Sequence, residues 1–301
     1  MPVAVEYVRR MRGGAQSHLL RCEDDHYYIV KFQNNPQGVK ILANELLGTR
    51  LAARLGLPVP AAAVVEVSEY FVKHTQELNI QLARSRIVCK PGPSFGSRYP
   101  GHPASVVVYD FLPEEQLRAV QNISAFAGML AFDKWTCNTN GRQAVFFKAS
   151  GRSGAAPYQA PYQAPTQTNT FQSPSRAPFQ TPFETPSPGA YQALMIDQGF
   201  CFNAADWGFP DAPLRGIYIR ERVYETVTGM ESFDPWLGRI EQNVTEAMLE
   251  EAAGEIPPQW YNFDSDSLYR MLEMLYRRRT RVRDLLDATR RCARNPFPYW
   301  T

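Results

Sequence analysis

Histidine and cysteine are scarce in this 301-residue sequence, and the scarcity closes several chemical routes. The four histidines (His18, His26, His74 and His102) all lie within about the first third. A Ser-His-Asp relay could still draw on one of them, but no G-x-S-x-G elbow supplies its nucleophile. Chemistry in the remaining two-thirds must run on carboxylates, amides, hydroxyls and lysine. The five cysteines (Cys22, Cys89, Cys137, Cys201 and Cys292) are an odd number with no two within four residues. That spacing disfavours both a disulfide framework and a zinc knuckle, so buried, reduced thiols are expected. Nowhere do 18 apolar residues follow one another, as a membrane span requires. The longest candidate, residues 59–67, is broken by Pro60 and Glu66. Glu6, Arg9, Arg10 and Arg12 stand where a signal peptide would carry its apolar core. A cytoplasmic protein without membrane contact is the expectation. With 32 basic and 30 acidic residues the net charge is only +2, which argues against a protein that coats nucleic acid.

Lysine is scarce too, six against twenty-six arginines, whereas proline is abundant at 24 residues. Eight of those prolines fall in residues 149–190, among many Gln, Thr and Ser and without Val, Ile, Leu or Met. Such a composition cannot offset the entropy of ordering, so a disordered, partly polyproline-II segment is expected. Its flanks are strand-like: Asn140-Gly141 marks a turn before Gln143-Ala144-Val145-Phe146-Phe147, and Tyr191-Gln192-Ala193-Leu194-Met195-Ile196 follows. The segment therefore reads as an enlarged hairpin loop rather than a domain boundary, an insertion that costs little in loop entropy. Upstream, residues 19–22 and 27–32 read as a hairpin. Leu42, Leu46, Leu51 and Leu55 then recur at helical spacing until Gly56, Pro58 and Pro60 end the run. Residues 64–67 and 105–111 are further strands. The first 113 residues are thus mostly β with one helix, and residues 114–132 and 218–294 are mostly helical.

Four features stand in one order along the chain. Gly13 and Gly14, flanked by cations, precede a strand and permit close approach of backbone amides to a phosphate. Lys31 lies inside the apolar run YYIVKF, and Glu45, fourteen residues on, could pair with it from the helix. Asp133 precedes Asn138 by five residues at the end of an apolar helix, offering a proton acceptor and an oxygen for Mg²⁺ on one loop. Asp197 ends an apolar strand two residues before Gly199, the D-x-G arrangement that holds metals bridging nucleotide phosphates. Each has a plainer reading alone: a turn, an edge lysine facing water, a cap. The argument rests on their order. Lys134 remains open between neutralising a transferred phosphate and facing solvent.

At these residues the chain resembles the HipA-like branch of the protein-kinase superfamily, and its D-x4-N loop and I-D-x-G strand are also similar to phosphatidylinositol-kinase-type enzymes. VKFQNNPQ, ANELLGTRLA, LGLPVP, FDKWTCNTNGRQAVF and MIDQGFCFN carry the likeness. The resemblance implies an α+β, bilobal, protein-kinase-like fold: an N-lobe over residues 1–113, a helical C-lobe over 114–301, and the Pro-rich hairpin insert within the latter. It implies ATP and Mg²⁺ as cofactors, Lys31 on the phosphates with Glu45 as its partner, Asp133 as catalytic base, and Asn138 and Asp197 as metal ligands. Residues Val108, Tyr109, Asp110, Phe111 and Leu112 become the hinge reading adenine, and Ser17 corresponds loosely to a regulatory phosphorylation position. The chain is shorter than full-length HipA toxins, which puts a toxin role in doubt.

The function expected is ATP- and Mg-dependent phosphorylation of a hydroxyl, on Ser or Thr of an unknown protein. Transfer to a small molecule, transfer of AMP, and nucleotide binding without turnover are the rival readings. The arginine run from Arg277 to Arg294 is expected as a solvated basic face, the alternative being a docking surface for an acidic partner or RNA.

Overall fold

A computed structural model describes residues 1–148 and 190–300 of the chain. The architecture is α+β, as expected, with a β-rich amino-terminal part and a mainly helical remainder. Apart from Ala190, the Pro-rich segment at 149–190 lies outside the described residues.

Strands β1 (Ala4–Arg10), β2 (His18–Cys22), β3 (Tyr27–Lys31) and β4 (Ala62–Val67) enclose helix α1 (Lys40–Arg54) in sequence. Helix α2 (Glu69–His74), the small hairpin of β5 (Asn79–Gln81) and β6 (Arg86–Val88), and β7 (Gly92–Arg98) follow. The main sheet runs β1-β2-β3-β7-β4, and a bridge between Val3 and Glu66 draws its two edges together. Tyr28, Val30 and Phe32 alternate into the core that this curled sheet wraps, with Leu20, Val65, Val67 and Ile80. Lys31 therefore points the other way, towards α1, from the middle strand of five. The edge-lysine reading is thereby settled against.

Helix α1 stops where the sequence says it should. Gly56 has φ +73°, its N–H donates to Ala53, and Leu57 N–H donates to Ala52 at 3.0 Å, a Schellman closure that uses the glycine's left-handed freedom. On one side α1 packs against β4 and β7, on the other against helical elements of the second part. One core consequently runs from Leu42 and Leu46 through to Trp260 and Leu286.

The second part begins with a short strand, β8 (Val108–Tyr109), and helix α3 (Glu114–Leu117). Helix α4 (Ala125–Thr136) follows, every residue of it buried. The stretch 114–132, expected to be mostly helical, holds α3 and most of α4. Strands β9 (Gln143–Lys148) and β10 (Tyr191–Ile196) pair in continuous register from Tyr191↔Lys148 to Ile196↔Gln143, so the stems of the expected hairpin are present. β8 joins the open edge of β9, giving the order β10-β9-β8. Helices α5 (Asp234–Asn243), α6 (Glu246–Gly254), α7 (Ser265–Arg278) and α8 (Val282–Arg291) complete the fold. Thr245 and Asp264 cap α6 and α7 by accepting the N–H groups of Met248 and Ser267.

The arginines of α7 and α8 are largely met within the chain. Arg278 is buried, donating to the carbonyls of Lys134 and Phe209 at 2.9 Å. Arg281 pairs with Asp211 at 3.0 Å, Arg283 with Asp234 and Glu241, and Arg277 with Glu273.

His18, at the start of β2, is fully buried against the rings of Tyr7 and Phe32. Burial, helped by the charge of Arg10, lowers its pKa to about 4. The folded protein keeps this imidazole neutral at pH values where the unfolded chain protonates it. The group's contribution is therefore complete above the ordinary histidine pKa of 6.5 and is lost as the pH falls towards 4. Denaturant unfolding between pH 4 and 7 should show this loss in the parent and a flatter profile in His18→Leu.

Candidate active site

Lys31 leaves the end of β3, Glu45 rises from the middle of α1, and Asp197 follows the last residue of β10. The Lys31 ammonium hydrogen-bonds to Glu45 Oε1 and, at 2.8 Å, to Asp197 Oδ1. All three side chains are largely buried. Burial works against the Lys31 charge, but the two carboxylates outweigh it and raise the lysine's pKa. Burial raises the pKa of Glu45, opposed by Lys31 and reinforced by Asp197. Burial also acts against Asp197, yet Lys31 and Arg142 carry its pKa below the ordinary carboxylate value. With Glu45 ionised, two negative charges would face one positive, an excess that would suit a hard cation.

Glycines set the closeness of this packing. A Cβ on Gly199 would fall 2.5 Å from Ile41 Cγ2 and 3.0 Å from Glu45 Oε1, and one on Gly48 would fall 2.8 Å from Gln198 Cβ. Glu45 Oε2 accepts the Gln198 N–H at 3.1 Å. Beside it, the buried Asn44 donates to the carbonyls of Gly199 and Ala204 at 2.8 Å and accepts from Trp207 Nε1. Asn44, Gln198 and Trp207 were not legible as site residues. Only the side-by-side Asn44-Glu45 pair in a leucine-rich helix hinted at a polar contact.

The glycine turn leads into β2, the strand that pairs with the strand of Lys31. Extending the β2–β3 register by one step from His18↔Val30 sets Ser17 opposite Lys31. The turn is closed by Met11 N–H to Ser17 at 2.8 Å and Gln16 N–H to Gly13 at 3.1 Å, with Gly13 at φ +115°. Gly13 and Gly14 are exposed, so their backbone is free to meet a ligand, whereas Ser17 is buried and presents no accessible hydroxyl for modification in this arrangement.

The expected hinge does not act as one unit. Val108 and Tyr109 pair with Phe147 and Phe146 and leave the outer edge of β8 open. Asp110 and Phe111 are exposed, with the Arg220 guanidinium 4.7 Å above the Phe111 ring. Leu112 is in the core and its carbonyl accepts from Arg220, so it is withdrawn from any adenine contact.

Asp133 and Asn138 are placed differently from what their spacing suggested. Asp133 lies in the last turn of α4, its side chain wholly enclosed. Arg142 Nε donates to its Oδ2 at 2.8 Å and Arg142 Nη2 to its Oδ1. Asn138 is turned inward as well: its Nδ2 donates to Asp133 Oδ1 at 3.0 Å and its Oδ1 accepts the Asn140 N–H at 3.1 Å. A carboxylate with no exposed surface does not reach an acceptor hydroxyl, and an amide oxygen already used by the backbone is a poor metal ligand. The base and metal roles expected of these two residues are corrected accordingly. Of the two expected metal ligands, Asp197 keeps its carboxylate in the Lys31 cluster and Asn138 is turned to Asp133. Lys134 follows neither reading offered for it. It is buried, and its ammonium donates at 2.6 Å to the carbonyls of Pro213 and Arg215.

The sequence model of the HipA-like kinase family matches residues 4–145. The resemblance read from the sequence is borne out over that stretch, which holds Lys31, Glu45, Asp133 and Asn138 and ends before Asp197. No curated protein sequence matches the chain. Among solved structures, a Golgi casein kinase is similar at 11% identity and TM-score 0.44, over 97% of this chain and 74% of that one. A Golgi casein kinase structure with Mn/ADP bound gives 9% identity and TM-score 0.45 over the same shares of the two chains. The proinflammatory kinase CtkA of Helicobacter pylori gives 13% identity and TM-score 0.41 over 93% of each chain.

Burial lowers the Lys134 pKa to about 8 despite the charge of Asp133 nearby. Between that value and the ordinary lysine value of 10.5 the unfolded chain holds a proton that the folded chain has released. Stability therefore rises with pH across this window, by at most about 3 kcal/mol. Comparing parent and Lys134→Met by denaturant unfolding from pH 7.5 to 10.5 should show this rise in the parent and its loss in the variant.

Proposed function

We propose that the chain is an ATP- and Mg²⁺-dependent kinase that transfers the γ-phosphate to a hydroxyl, with Ser or Thr of a protein as the acceptor class. The observation that carries the proposal is the buried Lys31–Glu45–Asp197 cluster, with an exposed glycine turn leading into the strand that pairs with that of Lys31. The match of residues 4–145 to a family of kinases supports it. Glu45 and Asp197 hold the Lys31 ammonium in one position, where it can neutralise charge on the nucleotide phosphates. The amides of Gly13 and Gly14 are free to approach the same phosphates. Asp197 is the carboxylate that would hold Mg²⁺, which supplies charge neutralisation for the phosphates when bound. In the transfer step the acceptor oxygen bonds to the γ-phosphorus as the bond to the β-bridging oxygen breaks. ADP departs, and the hydroxyl proton passes to solvent or phosphate. Because such transition states are loose, the work falls on positioning and electrostatics rather than on a strong base.

A second reading has its own support. The enclosure of Asp133 by Arg142 leaves the expected base out of reach, which favours nucleotide binding without transfer.

The two readings part in one experiment. Purified protein and its Asp197→Ala variant are incubated with γ-labelled Mg-ATP and host lysate, and labelled species are identified by mass. Labelled phosphoprotein in the parent and none above background in the variant is the expected outcome. Lys31→Met should reduce kcat/KM about 100-fold or more. Tight Mg-ATP binding by the parent with no label on any acceptor would sink the kinase reading and leave the second.

A further inference from the structure

Asp133 has the surroundings of a strut. The guanidinium of Arg142 uses one side for the Asp133 carboxylate, and the remaining corner, Nη1, donates at 2.7 Å to the carbonyl of Ile196. Ile196 is the residue immediately before Asp197. One planar group thus joins the end of α4 to the end of β10, and a lysine ammonium lacks the fork to span both contacts. The surrounding backbone closes over the pair. Arg142 N–H donates to Ile217 at 3.2 Å, Gly216 N–H donates to Asn140 at 3.1 Å, and a Cβ on Gly216 would fall 2.5 Å from Asp133 Cβ. Only glycine fits there, and at φ +76° only glycine fits without strain.

Asp197 needs such support. Its backbone is left-handed at φ +63°, an arrangement a non-glycine residue keeps only when its neighbours impose it. Glu45 fixes the residue after it through the Gln198 N–H, and Arg142 fixes the residue before it through the Ile196 carbonyl. We infer that Asp133 and Arg142 are positioning residues. Their buried pair fixes the direction in which Asp197 leaves β10, and Asp133 does not receive the acceptor's proton. The inference rests on the reading of Asp197 as the residue facing the metal–nucleotide complex.

Full-length parent, Asp133→Asn, Arg142→Met, the double variant Asp133→Asn with Arg142→Met, and Arg142→Lys separate the possibilities. Each is followed by thermal unfolding, by hydrogen exchange of the peptide spanning residues 194–200, and by calorimetric titration with Mg-ATP. Removing one partner strands the other charge in the interior, so each single variant should lose roughly 10 °C in Tm, and the double variant should recover most of that loss. Arg142→Lys keeps a charge pair with Asp133 but not the Ile196 contact. It should retain most of the parent's Tm, exchange faster at residues 194–200, and bind Mg-ATP about tenfold more weakly, the scale of losing an outer-shell partner. Asp133→Asn with parental Tm, exchange and Mg-ATP binding but no transfer would mark a proton acceptor and overturn the inference. Parental exchange at residues 194–200 in Arg142→Lys would overturn it equally. If the parent itself binds no Mg-ATP, the kinase reading fails, while the Tm and exchange results still decide the role of the pair.

Discussion

Lys31 sits between two carboxylates inside the protein, and much of the fold is arranged around that imbalance. An ammonium and two carboxylates removed from water are costly unless each finds partners in good geometry. The partners here come from three distant stretches of chain: the middle strand of the curled sheet, the helix packed on it, and the turn after β10. Bringing them together requires that α1 lie close to the 197–199 turn, which Gly48 and Gly199 permit and Asn44 secures through backbone carbonyls. The cluster proposed to face the nucleotide is therefore also the joint between the two parts of the molecule.

A second buried pair stands behind the first. Asp133 and Arg142 contact no solvent, yet their hydrogen bonds end one residue short of Asp197. The two ion pairs hold the same turn from opposite sides, one through the Gln198 amide and one through the Ile196 carbonyl. Holding both flanks of a left-handed residue leaves its carboxylate little choice of direction, which is what the metal-holding role proposed for Asp197 would require.

Much of this was legible in the sequence where hydrophobic period and turn chemistry agree. The leucines of α1, its stop at Gly56 and the stems of the β9–β10 hairpin follow from local pattern, and Lys31 and Asp197 stand out as charges at the ends of apolar strands, with Glu45 inside the leucine-rich helix between them. Strand β7 did not declare itself. GPSFGSR, with two glycines and a proline, lacks a strand's apolar pattern, yet it is an inner strand of the sheet in which Gly96 leaves room for Val65 and Tyr28, where a Cβ would fall 2.5 Å from Val65 Cγ2. The D-x4-N spacing misled for a related reason. Spacing places Asp133 and Asn138 near one another but says nothing of Arg142, a residue farther along the chain that draws the carboxylate inward. Arg277, Arg281 and Arg291 of the basic run at the carboxyl end are exposed, and acids distant in sequence, such as Asp211 and Asp234, pair with Arg281 and Arg283 there. Local signals specify elements, and long-range charge pairing decides which polar groups remain available.

The pairing of β8 with β9 carries a mechanical corollary. Residues 108–109 are stitched into the sheet of the helical part, and α1 shares a core with that part, so neither can act as a swivel. The chain between β7 and β8 is itself tied back: Gly101 adopts φ +147° and Tyr99 Oη donates to the Val106 carbonyl at 2.9 Å. The connection between the curled sheet and the helical part is thus anchored at both ends.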